Sequence, residues 1–183
     1  MRGEWCYYTD FLSPSECEII ISSSPQSIRA QIGGRTSYIL DDNYRRSNIA
    51  WLSKTDHRDL YSRIWGIAIE ANREFFGFHI DDVENLQLTE YSAEYRGEYK
   101  EHQDITWLGT RQRKLSCVIQ LTDPSKYSGG TLSLRARELP PQEVISRQGS
   151  AIFFPSFLQH AVTPVSEGTR HSLVAWFSGP SFK

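Results

Sequence analysis

The stretch YKEHQDITW, residues 99–107, contains two side chains that could bind a metal ion. His102 and Asp104 are two positions apart, and residues i and i+2 of an extended strand project from the same face. An extended conformation would therefore aim an imidazole and a carboxylate in one direction. Because short polar motifs often match by chance, the pair alone is weak evidence for a metal site.

His160 is the best candidate for a third ligand, since it follows the apolar run SAIFFPSFLQ and precedes AVTPV within a predicted β region. His57 and His79 lie near the two ends of a predicted helix, where a polar surface histidine is ordinary. Two histidines and one carboxylate form the facial triad of non-haem Fe(II) sites, which leaves further coordination positions open. We therefore predict a metal site formed by His102, Asp104 and His160.

The motif GTRHS, whose arginine lies ten residues after His160, adds a candidate anion-binding group. Arg170 and Ser172 share one face of the strand RHSLVAWF, whereas His171 points to the other face and is not counted as a ligand. Burying an arginine within an apolar β region is costly unless its charge is paired. A ligand carboxylate would pair with the guanidinium, and Ser172 would add a hydroxyl donor. An ion pair with a distant Asp or Glu is the alternative.

The composition is that of an ordinary globular domain. A chain of 183 residues with 39% apolar and 23% charged residues can bury a core without disulfides. Lys and Arg number 20 against 22 Asp and Glu, and the resulting net charge of −2 argues against a general nucleic-acid binder. Basic clusters at Arg45–Arg46 and at Arg111, Arg113 and Lys114 are expected to be solvated surface.

The cysteines and the apolar runs give information about the cellular compartment of the protein. Cys6, Cys17 and Cys117 are an odd number without metal-like spacing, which indicates reduced thiols. The first residues lack the apolar core of a signal peptide, and no apolar run reaches the length of a membrane span. We therefore expect a soluble, cytoplasmic protein without a membrane partner.

The order of the predicted elements indicates the fold class. Ser13, Pro14 and Glu16 form the start of a short helix, and apolar residues recur at helical spacing over about 56–76, until Gly77. Short apolar or alternating segments separated by turn residues follow, at 86–91, 115–121, 131–135, 150–154 and 171–178. We predict an all-β core with flanking helices (α+β), built as a sandwich or barrel.

We predict one domain over residues 1–183, with a helical N-terminal support at 1–84 and a β core at 85–178. The core carries an ordered set of motifs: GEYKEHQD, RKLSCVIQLTDP, YSGGTLSL, GSAIFFPSFLQHAVTPV and GTRHSLVAWF. With these motifs the chain resembles the 2-oxoglutarate/Fe(II)-dependent dioxygenases, in particular the prolyl-4-hydroxylase-like branch with procollagen-lysine-hydroxylase-type members. The resemblance implies a double-stranded β-helix (jelly-roll) with the N-terminal helices packed outside it.

The resemblance also implies roles for individual residues. Tyr91 matches a tyrosine that hydrogen-bonds the cosubstrate, with Tyr95 as a weaker competitor, and Gln120 lies where relatives place a side chain against the cosubstrate. Tyr99 matches a tyrosine near the site, with core packing as the alternative, and Trp176 is expected to pack under the site. The implied iron ligands are His102, Asp104 and His160, and the implied 2-oxoglutarate-binding residues are Arg170, Ser172, Tyr91 and Gln120.

The implied reaction is hydroxylation of a C–H bond with release of succinate and CO₂. It would use Fe(II), with 2-oxoglutarate and O₂ as cosubstrates and ascorbate as a candidate further ligand. The branch suggests a prolyl or lysyl residue of a protein or peptide as substrate, with a free amino acid or other small molecule as the alternative. Candidates for the substrate side are Arg45, Arg46, Asn48 and Trp51, and the alternative is that they are surface residues and a core Trp.

Three other functions can be weighed against the same residues. A cupin-like metalloenzyme would have no need of an inward Arg170 and Ser172. A nucleic-acid demethylase of the superfamily would typically carry a second arginine six residues after the first, where this chain has Trp176. A non-catalytic binding relative would usually have lost one of the metal ligands.

Overall fold

The computed structural model describes residues 3–34, 37–105 and 107–182. Its α-helices are α1 (Pro14–Ser23), α2 (Arg58–Ala71) and the short α3 (Gln142–Ile145), and 3₁₀ turns occupy Ala93–Tyr95 and Pro124–Lys126. The strands are β1 (Cys6–Tyr8), β2 (Ile28–Arg29), β3 (Ile32–Gly34), β4 (Ser37–Ile39), β5 (Arg45–Arg46), β6 (Asn48–Leu52), β7 (Asp82–Val83), β8 (Leu86–Ser92), β9 (Glu98–His102), β10 (Arg111–Gln120), β11 (Tyr127–Gly129), β12 (Leu132–Leu134), β13 (Ala151–Pro155), β14 (His160–Val162) and β15 (Val165–Pro180).

Both predicted helices are confirmed. At the start of α1, the Ser13 side chain accepts a hydrogen bond from the Glu16 amide, and the Glu16 carboxylate accepts one from the Ser13 amide at 2.7 Å. The long helix consists of α2 followed by a π-helical turn at Asn72–Phe76. It ends at Gly77, whose φ of +71° is a left-handed conformation that glycine adopts without steric cost.

Two antiparallel sheets form the β core. The larger sheet has the order β1-β13-β10-β15-β8-β6-β2, with β7 and β11 also paired to β15. The smaller sheet has the order β12-β14-β9-β5. Each strand segment predicted after Gly77 overlaps one of these strands, and the predicted jelly-roll with flanking helices is confirmed. The N-terminal half contributes strands to both sheets in addition to its helices.

The alternation along β10 separates two apolar clusters. Leu115, Cys117 and Ile119 pack in one cluster with residues of α1 and α2. Val118, on the opposite face, packs in the other cluster, which includes Leu132 and other residues of the smaller sheet. The helices therefore cover one face of the larger sheet, and the site residues described below lie between the two sheets. Among the described residues, no helix is both long and apolar enough to cross a membrane.

Candidate metal and cosubstrate site

The three predicted metal ligands meet between two neighbouring strands of the smaller sheet. His102 ends β9 and His160 begins β14, and the two residues are direct partners in the antiparallel pair. The side chain of Asp104, two residues past His102, lies 3.8 Å from His102 Nε2 and 3.5 Å from His160 Nε2. One ligand atom from each side chain lies within 4.8 Å of the others. The structure thus brings His160 to a pair of side chains that lies far from it in the sequence.

Backbone carbonyls orient both imidazoles. His102 Nδ1 lies 2.8 Å from the Lys100 carbonyl oxygen, and His160 Nδ1 lies 3.0 Å from the Leu158 carbonyl oxygen. A carbonyl only accepts hydrogen bonds, so each Nδ1 carries a proton, and Nε2 is the nitrogen whose lone pair the neutral ring offers to a metal. Both Nε2 atoms face Asp104 and are available to bind a cation.

The electrostatics of the cluster also favour a bound cation. Burial and the neighbouring His160 lower the pKa of His102, so its imidazole is neutral at pH 7. Burial raises the pKa of Asp104, but the nearby histidines and the Ser116 hydroxyl outweigh this effect and lower it overall. Two imidazoles and one carboxylate are a donor set that fits Fe(II).

A cavity of about 870 Å³ opens beside the triad. Arg170 and Ser172 line it and are only 3% and 2% exposed. Nη1 of Arg170 is buried and has no hydrogen-bond partner in the described part of the chain. A buried, unpaired guanidinium nitrogen is costly unless a ligand satisfies it, so this end of the cavity suits a carboxylate.

Tyr91 lies next to Arg170 within the same cavity. The guanidinium carbon of Arg170 is 5.7 Å from the centre of the Tyr91 ring. Burial raises the pKa of Tyr91, although the charges of Arg45 and Arg170 oppose the shift, so the phenol keeps its proton and can donate a hydrogen bond. Tyr95, the weaker competitor, instead donates its hydroxyl to the Glu90 carbonyl at 3.0 Å.

Tyr99 lies in a stack that ends at the triad. Its ring is parallel to that of His102, with 3.5 Å between the centroids, and the guanidinium carbon of Arg45 lies 4.5 Å from the Tyr99 ring centre. Burial raises the pKa of Tyr99 to about 12. Trp176 lines the cavity on another side, where the Arg113 guanidinium carbon lies 4.0 Å from its ring centre.

Gln120 is not brought into this cavity. Its amide nitrogen donates to the Thr122 carbonyl at 2.9 Å and to the Tyr127 hydroxyl at 3.1 Å. Together with Arg170 it lines a separate cavity of about 260 Å³. Among the nine predicted site residues, Gln120 is the one that the structure places apart from the triad.

The expectation that both basic clusters are solvated surface is wrong for two residues. Arg45 is only 8% exposed and lines the main cavity, and Lys114 is also buried. Nε of Arg45 donates to Ser47 at 2.8 Å and Nη2 donates to Gln87 at 3.0 Å. The signal in the sequence was the spacing of Arg45 and Ser47, which places both on one face of an extended segment that leads into the apolar run IAWL.

Sequence reasoning also missed two serines beside the carboxylate of the triad. The Ser116 hydroxyl donates to Asp104 Oδ2 at 2.7 Å, and the Ser156 hydroxyl lies 2.8 Å from Ser116 Oγ. Ser116 lies within the apolar strand LSCVIQL, and an uncharged polar residue inside such a strand was the available signal.

The sequence pattern of the 2OG-Fe(II) oxygenase superfamily matches residues 86–178. The chain therefore belongs to this superfamily, whose members are named for Fe(II) and 2-oxoglutarate. The match begins with β8 and covers the triad, Tyr91, Arg170 and Ser172.

Relatives identified from sequence are PKHD-type hydroxylases. The chain is 33% identical over 78 residues to one from Prochlorococcus marinus, which covers 43% of this chain and 35% of the relative. It is 30% identical over 105 residues to PKHD-type hydroxylase YbiX of Shigella boydii, which covers 57% of this chain and 38% of the relative. The aligned part thus spans little more than a third of the length of these relatives.

Solved structures with a similar fold cover almost the whole chain. The viral collagen prolyl hydroxylase of Paramecium Bursaria Chlorella virus-1, in complex with 2OG, aligns with a TM-score of 0.70 at 19% identity and covers 96% of each chain. A prolyl-4-hydroxylase of Pseudomonas putida aligns with a TM-score of 0.70 at 18% identity and covers 99% of this chain and 94% of its own. A Trichoplax adhaerens prolyl hydroxylase, in complex with a hypoxia inducible factor peptide fragment, aligns with a TM-score of 0.75 at 15% identity. The alignment covers 96% of this chain and 83% of the hydroxylase. At these identities the likeness establishes the fold.

Proposed function

We propose that the protein is an Fe(II)- and 2-oxoglutarate-dependent dioxygenase that hydroxylates a C–H bond and releases succinate and CO₂. The observation that carries this proposal is that one cavity is lined both by the cluster of His102, Asp104 and His160 and by Arg170. Nη1 of Arg170 is buried and has no hydrogen-bond partner among the described residues. A metal-binding triad alone would suit several metalloenzymes. The adjacent arginine adds a site for the carboxylate of a keto acid, which a cupin-like isomerase or hydrolase would not need.

Each residue of the site has a defined task in this proposal. His102 and His160 bind the iron through Nε2, and Asp104 binds it through its carboxylate. Arg170 and Ser172 hold the distal carboxylate of 2-oxoglutarate, and Tyr91 donates a further hydrogen bond to the cosubstrate. The bound iron supplies the oxidative chemistry, while the protein positions the C–H bond and excludes competing reactions.

We propose a prolyl residue of a protein or peptide as the substrate, with a lysyl residue as the related possibility. Support comes from the PKHD-type relatives and from the prolyl hydroxylases that share the fold, one of which was solved with a peptide. The cavity also extends past the triad to Trp51, whose side chain is 42% exposed, so it reaches the protein surface. An extended peptide can enter from that side. A free amino acid is the alternative substrate.

The deciding experiment measures succinate formed from 2-oxoglutarate by the Fe(II)-loaded protein, with proline- and lysine-containing peptides and the corresponding free amino acids in parallel. We expect peptides to stimulate turnover and His160→Ala to abolish it. His57→Ala is the matched control, because His57 lies outside the cavity. Stimulation by free amino acids alone would favour the alternative substrate. Iron binding without succinate formation under any condition would contradict the dioxygenase proposal. Parallel reactions with and without ascorbate would test that predicted ligand.

A further inference from the structure

We infer that Ser116 and Ser156 are positioning residues that form a buried hydroxyl relay and hold the Asp104 carboxylate in the orientation that binds the metal. This inference rests on the proposed function, because it assigns the relay to the iron site. It extends that function by two residues that lie outside the triad and outside the wall of the main cavity.

The direction of the hydrogen bonds follows from the chemistry of the groups. Ionised Asp104 can only accept, so the Ser116 hydroxyl must donate its proton to Oδ2 across the 2.7 Å contact. The Ser116 oxygen is then free to accept, and the Ser156 hydroxyl donates to it across 2.8 Å. The chain of donors therefore runs from Ser156 through Ser116 to Asp104.

Because both serines are buried, each hydrogen bond of the relay is costly to lose. Ser116 and Ser156 are both 0% exposed, so water cannot replace a lost hydrogen bond without entering the core. A hydrogen bond to a carboxylate in such surroundings is charge-assisted and stronger than a neutral one. The bond restricts rotation of the carboxylate and fixes which of its oxygens remains free.

Ser156 also holds the backbone that carries the ligand. Its carbonyl oxygen accepts hydrogen bonds from the amides of Asp104 at 2.9 Å and Ile105 at 3.1 Å. The segment after β9 is thereby tied to the end of β13, while the side chain of Asp104 is tied to β10 through Ser116. Backbone and carboxylate of one metal ligand are thus fixed by a single pair of serines, which joins the two sheets at the site.

Mn(II) binding to the purified protein, followed by electron paramagnetic resonance, tests the relay without depending on turnover. We expect Ser116→Ala to weaken Mn(II) binding about 10-fold or more, the range reported for lost outer-shell contacts to metal ligands. Ser156→Ala should weaken it several-fold. Because Ser156 acts on the carboxylate through Ser116, the double variant should bind Mn(II) about as weakly as Ser116→Ala alone.

Ser150→Ala is the matched control, since Ser150 is equally buried but its hydroxyl has no hydrogen-bond partner among the described residues. It should leave Mn(II) binding unchanged. Urea unfolding of the metal-free variants separates a structural effect from a metal-site effect, and Ser156→Ala decides the test if Ser116→Ala does not fold.

Wild-type Mn(II) affinity in folded Ser116→Ala protein, or in Ser156→Ala protein if Ser116→Ala does not fold, would overturn the relay, and so would additive losses in the double variant. These results would leave the proposed function standing. Failure of the wild-type protein to bind Mn(II) would instead overturn the proposed function, and the relay with it.

Discussion

The rings of Tyr99 and His102 lie parallel, 3.5 Å apart between centroids and 15° apart in plane, so that a tyrosine covers one face of a proposed metal ligand. Arg45 also packs against Tyr99, and its guanidinium carbon lies 4.5 Å from the ring centre. The imidazole is thus held by stacking on one side and by the Lys100 carbonyl at its edge. This arrangement gives Tyr99 a task that requires its ring and does not require its hydroxyl.

Replacing Tyr99 tests this interpretation. Tyr99→Phe keeps the ring and should retain metal affinity within about twofold, whereas Tyr99→Leu removes the stack and should weaken it several-fold, because aromatic pairs contribute about 0.5–1.5 kcal/mol beyond burial. Titration of both variants with Mn(II) provides the measurement. A large loss in Tyr99→Phe would show that the hydroxyl takes part in the site.

Arg170 should control cosubstrate binding separately from metal binding. Hydrogen bonds to charged groups are worth about 1.5–3 kcal/mol, so Arg170→Ala should weaken 2-oxoglutarate binding by tenfold or more. Arg170→Lys should restore part of the affinity, because it keeps the charge and loses the planar fork. Calorimetric titration of the Mn(II)-loaded variants would measure both effects. Equal losses of metal and 2-oxoglutarate affinity would indicate a general distortion of the site.

Tyr91 and Gln120 form a matched pair for testing the remaining cosubstrate contacts. Tyr91→Phe removes a buried donor inside the main cavity and should weaken 2-oxoglutarate binding several-fold, at about 1 kcal/mol per lost hydrogen bond. Gln120→Leu removes an amide that bonds Thr122 and Tyr127 outside that cavity, and should leave the affinity close to that of the wild type. A larger loss of 2-oxoglutarate affinity in Gln120→Leu than in Tyr91→Phe would place Gln120 in the cosubstrate site.

Glu90 should contribute to the loss of folding stability at acidic pH. The imidazole of His171, whose Nε2 lies 3.6 Å from the Glu90 carboxylate, is the main cause that lowers the pKa of Glu90 from 4.5 to about 2, opposed by burial and aided by Asn48 and Tyr95. A lowered pKa in the folded state stabilises it above pH 4.5, and this contribution is lost as the pH falls from about 4.5 to about 2. Urea unfolding at pH 7 and pH 3 should therefore show a smaller loss of stability in Glu90→Gln than in the wild type.

Exposed Glu94 provides the control for that measurement. Glu94→Gln should lose as much stability between pH 7 and pH 3 as the wild-type protein. The prediction fails if Glu90→Gln loses as much stability between pH 7 and pH 3 as the wild-type protein.

The sequence by itself determined the features that depend on local geometry. The helix start at Ser13 and the helix end at Gly77 were predicted correctly, because helix ends are set by side chains within a few residues. Strand alternation likewise predicted that Arg170 and Ser172 share a face, since successive side chains of a strand point in opposite directions. The same alternation paired His102 with Asp104.

Only the tertiary structure decided which of these faces meet. Antiparallel pairing of β9 and β14 places His160 beside His102, and no local pattern fixes that register. Gln120 was expected at the cosubstrate, but its amide donates to the Thr122 carbonyl and the Tyr127 hydroxyl, outside the main cavity. Arg45 was expected at the surface and is buried against Tyr99. Burial and register result from packing between segments far apart in the chain, whereas periodicity reports only which way each side chain points from its own strand.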